Sequence, residues 1–256
     1  MLVPIAFMTR NFKLVVEYDG TDFNGYQSQG KGERTVQNVL SEAVDQIFCQ
    51  PVTLHGAGRT DTGVHALGQV VSFTTSGSIP TERLAFALNS KLPADLSVVS
   101  AEEVEDGFHA RYSARCRTYV YVVSRRRTRS AIWGRYSLHF RRPLDIALMR
   151  QVSAELTGTH DFASFAKGGG NPGPTTVRRL ERLNIRQMSG EKIFFVLTAN
   201  GFLRSMVRNL VGALLDVGAG DIPAELVPEI LARRSRVENP CAPAEPHGLC
   251  LWRVDY

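Results

Sequence analysis

Alternation of apolar and polar positions lays out this chain before any chemistry does. Residues 12–18 (Phe-Lys-Leu-Val-Val-Glu-Tyr) read as a strand ended by the turn pair Asp19-Gly20. Thr35 stands as an N-cap ahead of Val36, Val39, Leu40, Val44, Ile47 and Phe48, whose spacing predicts a helix. A short alternating run at 52–55 and the β-rich segment 68–73 predict two more strands. Thr81 caps a second helix carried by Leu84, Phe86, Leu88 and Leu92 and closed by Pro93, and 96–104 reads as a strand. The order strand, helix, strand, strand, helix, strand is that of the ferredoxin-like split unit, an antiparallel sheet backed by two helices.

The second half repeats the mixture. Residues 118–123 form a strand with Tyr119, Tyr121 and Val123 on one face, and Ile146, Met149, Val152 and Leu156 carry a helix over 145–156. A Gly- and Pro-rich loop at 168–174 is expected to be mobile. A hairpin about Ser189-Gly190 joins strands at 180–188 and 192–199, helices follow at 202–217 and 223–234, and 249–256 closes the chain as a strand. The pattern predicts an α+β protein of two related lobes, 11–110 and 111–256, with mainly antiparallel sheets flanking a central cleft.

Composition narrows this picture. With 43% hydrophobic and 21% charged residues among 256, the chain belongs with globular proteins that bury a sizeable core. The apolar opening at 1–8 is too short for a membrane span or a normal signal sequence and reads as a leader before the first strand. Cys49, Cys116, Cys241 and Cys250 are widely spaced without a Cys-x-x-Cys pair, which argues against zinc or a disulfide framework and suits a reducing cytosol. The net charge of +5 is concentrated in arginine clusters: 125–127 with Arg129, then 141–142, 178–179 and 233–236. Arginine is the better bidentate ligand for phosphate, so a polyanionic partner is expected, although any single cluster reads equally well as a solvated face.

The densest chemistry lies in Gly56-Ala57-Gly58-Arg59-Thr60-Asp61-Thr62-Gly63-Val64-His65, a loop between two strands. Its glycines let backbone approach a bulky partner, and a carboxylate on such a loop suits covalent or acid–base work. The plainer reading is a connection whose Asp and Thr satisfy turn backbone groups. On the 202–217 helix, Arg204 and Arg208 lie one turn apart at the rim of an apolar arc and call for a carboxylate; Asp61 is the candidate, with Asp216, Asp221 and Glu225 nearer in sequence. Tyr119 reads first as cross-strand packing, and as a base-stacking ring if it faces a cleft. Phe23 and Tyr26, in a polar loop, read equally as stacking residues and as staples over a sheet end. The six histidines show no metal-ligand spacing and read as structural or RNA-facing.

Gly58-Arg59-Thr60-Asp61-Thr62-Gly63-Val64-His65 resembles the catalytic motif of pseudouridine synthases, specifically the tRNA-modifying A family. Residues 18–29, from Tyr18-Asp19-Gly20 to Gln27-Ser28-Gln29, match that family's first signature. So do Phe108-His109-Ala110-Arg111, Arg117-Thr118-Tyr119-Val120-Tyr121, Asp161-Phe162-Ala163-Ser164-Phe165, and 202–212 with Met206-Val207-Arg208-Asn209. In this order the motifs are very specific and span 12–256. Two departures stand out: Tyr26 replaces the usual Trp, and Arg204-Ser205 precedes Met206 where a histidine is common.

The resemblance implies the pseudouridine synthase fold and isomerisation of uridine at positions 38, 39 and 40 of the tRNA anticodon stem-loop. It implies that Asp61 starts the reaction at the sugar, by attack at C1′ or proton removal at C2′, that Tyr119 stacks on the base and helps remove the C5 proton, and that Arg208 pairs with Asp61 and holds it ionised. Arg59 would hold open the site left by the displaced nucleotide. Thr60, His65, Phe23, Tyr26, Gln27, Arg111 and Arg204, with Tyr119, are the further substrate contacts it implies. It implies no metal and no cofactor, a cytoplasmic homodimer away from membranes, and tRNA engaged through its anticodon stem-loop and elbow. Two rivals remain at this point: a non-catalytic RNA-binding protein on the same scaffold, and a glycosidic-bond hydrolase.

Overall fold

In the computed structural model, which describes residues 9–28, 32–168, 175–188, 191–235, 237 and 239–256, the opening alternation becomes β1 (Arg10–Tyr18). The expected leader, the Ser189-Gly190 turn, Gln29, Arg236 and most of the 168–174 loop lie outside those residues. Phe12, Leu14, Val16 and Tyr18 of β1 point into the core while Lys13, Val15 and Glu17 face the other way, as a period of two requires. Helix α1 (Val36–Phe48) starts where Thr35 Oγ1 accepts the Asn38 N–H at 3.2 Å. The chain continues through β2 (His55–Gly56), β3 (His65–Thr75), α2 (Thr81–Asn89) and β4 (Leu96–Val104).

The second half runs β5 (Cys116–Ser124), β6 (Leu138–His139), α3 (Ile146–Glu155), β7 (Gly158–Asp161), β8 (Val177–Met188), β9 (Lys192–Ala199), α4 (Met206–Ala219), α5 (Leu226–Arg233) and β10 (Leu249–Asp255). One sheet holds all ten strands in the order β4-β1-β3-β10-β5-β9-β8-β7, with β2 added on β3 and β6 on β5. The first half is arranged β4-β1-β3-β2 and the second β10-β5-β9-β8, so each half has the split-unit topology that the sequence predicts. Pairing is antiparallel except between β10 and β3 and between β5 and β6.

The joint between the halves positions everything that follows. β3 offers one edge to two partners: His65 and Ala66 pair with β10, while Val71 and Ser72 pair with β2. The connection 57–64 leaves the sheet from the gap between those two pairings. The expected strand at 52–55 shrinks to His55–Gly56 because upstream backbone is already committed, the Val52 N–H to Asp45 Oδ1 at 2.8 Å.

Helix starts also differ from the sequence pattern, α5 beginning at Leu226 and not at 223. Pro80, not Thr81, is the N-cap of α2, and the Thr81 hydroxyl accepts from Arg10 Nη2 at 2.8 Å. Helix α4 begins at Met206 because Ser205 adopts φ 57°, ψ 9°, a left-handed conformation that turns the chain. Arg204 therefore lies outside the helix, exposed, and not one turn below Arg208. Helix α4 is buried nearly all round, with Met206, Val207, Leu210, Val211, Leu214 and Val217 in the core. Each such side chain contributes about 1.5–3 kcal/mol of burial. Gly212 lets the 242–244 segment lie directly on this helix: an added Cβ would sit 2.1 Å from the Ala242 carbonyl oxygen.

Candidate active site

The loop 57–64 is tied at both ends by groups buried beneath it. Gln69 Nε2 donates to the Gly58 carbonyl at 2.9 Å, and the Ala57 N–H to the Val70 carbonyl at 2.8 Å. Thr60 Oγ1 lies 2.8 Å from the Tyr18 hydroxyl, and the Thr60 carbonyl accepts the Tyr26 N–H at 3.1 Å. After Asp61 the chain turns sharply, with Gly63 at φ 77°, and the Val64 N–H returns to the Asp61 carbonyl at 3.1 Å. These bonds fix the Asp61 backbone while its side chain stays a quarter exposed.

Helix α4 meets that carboxylate from the other half of the molecule. Arg208 Nη1 donates to Asp61 Oδ2 at 3.1 Å, and Ser205 Oγ donates to the same oxygen at 2.7 Å. Arg208 is itself oriented: Nε donates to the Ala244 carbonyl at 2.7 Å, and the Ala244 N–H returns to the Arg208 carbonyl at 2.9 Å. A cation in the first turn of a helix works against the helix dipole, and α4 has no acidic residue there. Asp61, brought from across the joint, supplies the missing anion.

Tyr119 on β5 is 7% exposed, and its ring stands edge-on to Phe202 with centroids 5.1 Å apart. Burial first, then the neighbouring acid groups of Tyr18 and Asp61, push its phenol above the ordinary range. A phenol raised in this way stays protonated near neutral pH. Arg117, two residues earlier, donates to four carbonyls: Arg111 at 2.7 Å, Ala57 at 2.9 Å, Asn200 at 3.0 Å and Ala114 at 3.3 Å. It clamps the start of the acid loop to the second half.

The other residues expected to contact substrate divide into two groups. Arg59, Arg111 and Arg204 are exposed, and among the described residues none of them pairs with a carboxylate. They are free to meet phosphate. The remainder serve the protein interior. Phe23 and Tyr26 are 1% and 2% exposed, so the staple alternative describes them; the Arg34 guanidinium covers Phe23 at 4.2 Å, and Tyr26 packs on Gly56. Gln27 donates its amide to Gln37 Oε1 at 2.8 Å, and the Thr60 hydroxyl is taken by Tyr18. Sequence reasoning missed Ser205 and gave Arg117 no role. Ser205 falls inside the helix 202–217 that the spacing predicts, and its one signal is the Arg204-Ser205 departure from the family pattern.

His65 is also internal. Its Nδ1 accepts the Gly20 N–H at 3.0 Å, which makes Nε2 the donor toward the carbonyls of Arg135 at 2.9 Å and His247 at 3.2 Å. Asp19 Oδ1 lies 3.1 Å away, and Asp19 Oδ2 accepts from the Tyr136 hydroxyl at 2.9 Å. Burial lowers the His65 pKa below the usual imidazole value; Asp19 and the two carbonyls oppose this without overcoming it. The unfolded chain therefore takes up this proton more readily, and the stability involved is intact above about pH 6.5 and lost as pH falls below it. The thermal midpoint is expected to drop between pH 7.5 and 5.5, with a smaller drop in His65→Gln. An equal drop in both proteins would remove His65 as the cause.

Comparison with known proteins adds to this geometry. The family model described as tRNA pseudouridine synthase matches residues 14–113 and 152–256. A protein of Thermoanaerobacter sp. (strain X514) named tRNA pseudouridine synthase A is 44% identical over 247 residues, covering 96% of this chain and 100% of its own. Proteins of the same name from Moorella thermoacetica and Halalkalibacterium halodurans are 43% and 45% identical, covering 95% and 94% of this chain and 98% and 90% of theirs.

Proposed function

The chain belongs to the tRNA pseudouridine synthase family, and from that premise we propose that Asp61 converts uridine to pseudouridine in the anticodon stem-loop of tRNA, at the positions the sequence resemblance implies. The observation that carries this reading is the Asp61–Arg208 contact at 3.1 Å, which joins the partly exposed acid of one half to an oriented cation of the other.

The chemistry asks little else of the protein. The N1–C1′ bond of the nucleotide breaks, the base turns, and a C5–C1′ bond forms. The C5 proton leaves to solvent and N1 ends protonated, so nothing is oxidised and no co-reactant is consumed. Asp61 starts this at the ribose, by attack at C1′ or by taking the C2′ proton. Tyr119 stacks on the base. The target must leave its stack, at a cost of a few kcal/mol, and phosphate contacts from Arg59, Arg111 and Arg204 offset that cost. Residues 11–110 carry the acid loop in this reading, and 111–256 carry the Tyr119 strand and the Arg208 helix. The working form is a cytoplasmic homodimer with tRNA lying across both subunits. Among the described residues no helix is long and apolar enough to cross a membrane.

Unmodified tRNA carrying tritium at uridine C5 tests the proposal. Release of tritium into water, matched one for one by pseudouridine and mapped to the anticodon stem-loop, is the expected result. Free uracil would indicate a hydrolase. Bound tRNA with no release would indicate a binding protein, and either outcome overturns the reading.

A further inference from the structure

Ser205 stands at the N-cap of α4, where a serine ordinarily accepts a backbone N–H from the first turn of its own helix. Here the side chain makes no capping bond. Its backbone also sits at φ 57°, ψ 9°, a region that glycine and asparagine occupy with less strain. Both departures serve one contact: Oγ reaches a residue 144 positions away and donates to Asp61 Oδ2 at 2.7 Å. Arg208 Nη1 donates to that same oxygen. Among the described residues no hydrogen bond reaches Asp61 Oδ1. A carboxylate gripped twice through one oxygen cannot turn freely, and it presents the other oxygen with its lone pairs unspent.

We propose that Ser205 is a positioning residue: with Arg208 it pins Asp61 through Oδ2, so that Oδ1 is the oxygen that meets the ribose. This rests on the isomerase reading above, and it holds for either first step, since attack at C1′ and proton removal at C2′ both need one defined oxygen near contact distance. The hydroxyl's contribution would appear in turnover more than in tRNA affinity, because Ser205 acts through Asp61 and not on the nucleic acid.

The test compares Ser205→Ala, Ser205→Gly and Ser205→Asn by tritium release from the tRNA substrate, with wild type and Asp61→Asn alongside. Alanine removes the hydroxyl and keeps the strained backbone. Glycine removes the hydroxyl and relieves the strain, so its folded state is secured and its thermal midpoint is expected at or above wild type. Both should lower kcat about tenfold, with KM for tRNA within about twofold, and asparagine, which tolerates this backbone and offers an amide donor, should recover most of the loss. Wild-type kcat in the glycine variant would show that Ser205 only shapes the backbone, and would overturn the proposal while leaving the isomerase reading intact. Equal activity of wild type and Asp61→Asn, or no release by wild type, would sink that reading instead.

Discussion

Asp61→Asn is expected to lower turnover by about 10³-fold or more, some 4 kcal/mol in the barrier, while tRNA binding changes little. The substitution preserves shape, and the amide oxygen still accepts from Ser205 Oγ and Arg208 Nη1, which hold Oδ2 in the native site. The neutral amide is neither a useful nucleophile nor a useful base. The Gly58, Thr60 and Val64 contacts of the loop do not involve this side chain, so its backbone keeps its place. Single-turnover measurements with saturating enzyme, together with a binding isotherm for the same tRNA, separate chemistry from affinity. Turnover within tenfold of wild type would remove Asp61 from the reaction.

Arg208→Met should reduce kcat by about 10²-fold and destabilise the protein by about 2 kcal/mol, with Arg208→Lys intermediate at about tenfold in kcat. Arg208 and Asp61 side chains are 16% and 25% exposed, so the pair is shielded enough for loss of one partner to be felt by the other. Lysine keeps the charge but lacks the rigid fork that here bonds Ala244 with Nε and Asp61 with Nη1. The double variant Asp61→Asn/Arg208→Met should be no slower than Asp61→Asn alone, because both changes disable one unit. Additive losses would mean that Arg208 acts on the substrate by a separate route.

Most of the sheet strands and helices, though not the short β6 and β7, were legible from spacing alone, since a strand or helix with one buried face must repeat apolar residues at its own period. β1 and α1 appear within two residues of their expected bounds, for that reason. Departures came where a side chain or a strained backbone served something distant. Ser205 looked like part of a helix because its neighbours are apolar at helical spacing; its left-handed backbone answers to Asp61. For Phe23, Tyr26 and His65 the sequence leaves an internal and a substrate-facing role both open, and the structure buries all three. Arg117 stands in the sequence as part of a matching motif but shows no role there, because its partners are carbonyls, which every residue carries.

By itself the sequence determined the two repeated halves, the apolar helix α4, and a carboxylate on a glycine-rich loop, because periodicity and turn chemistry act over a few residues. Only the tertiary structure decided that β3 divides one edge between β2 and β10 and releases the loop through the gap. It alone brought Asp61 to Arg208, 147 residues away, ahead of the nearer acids Asp216 and Asp221. Asp221 is engaged by Arg142, and α4 presents Arg208 toward the joint, so the pairing follows from which faces the sheet topology turns together.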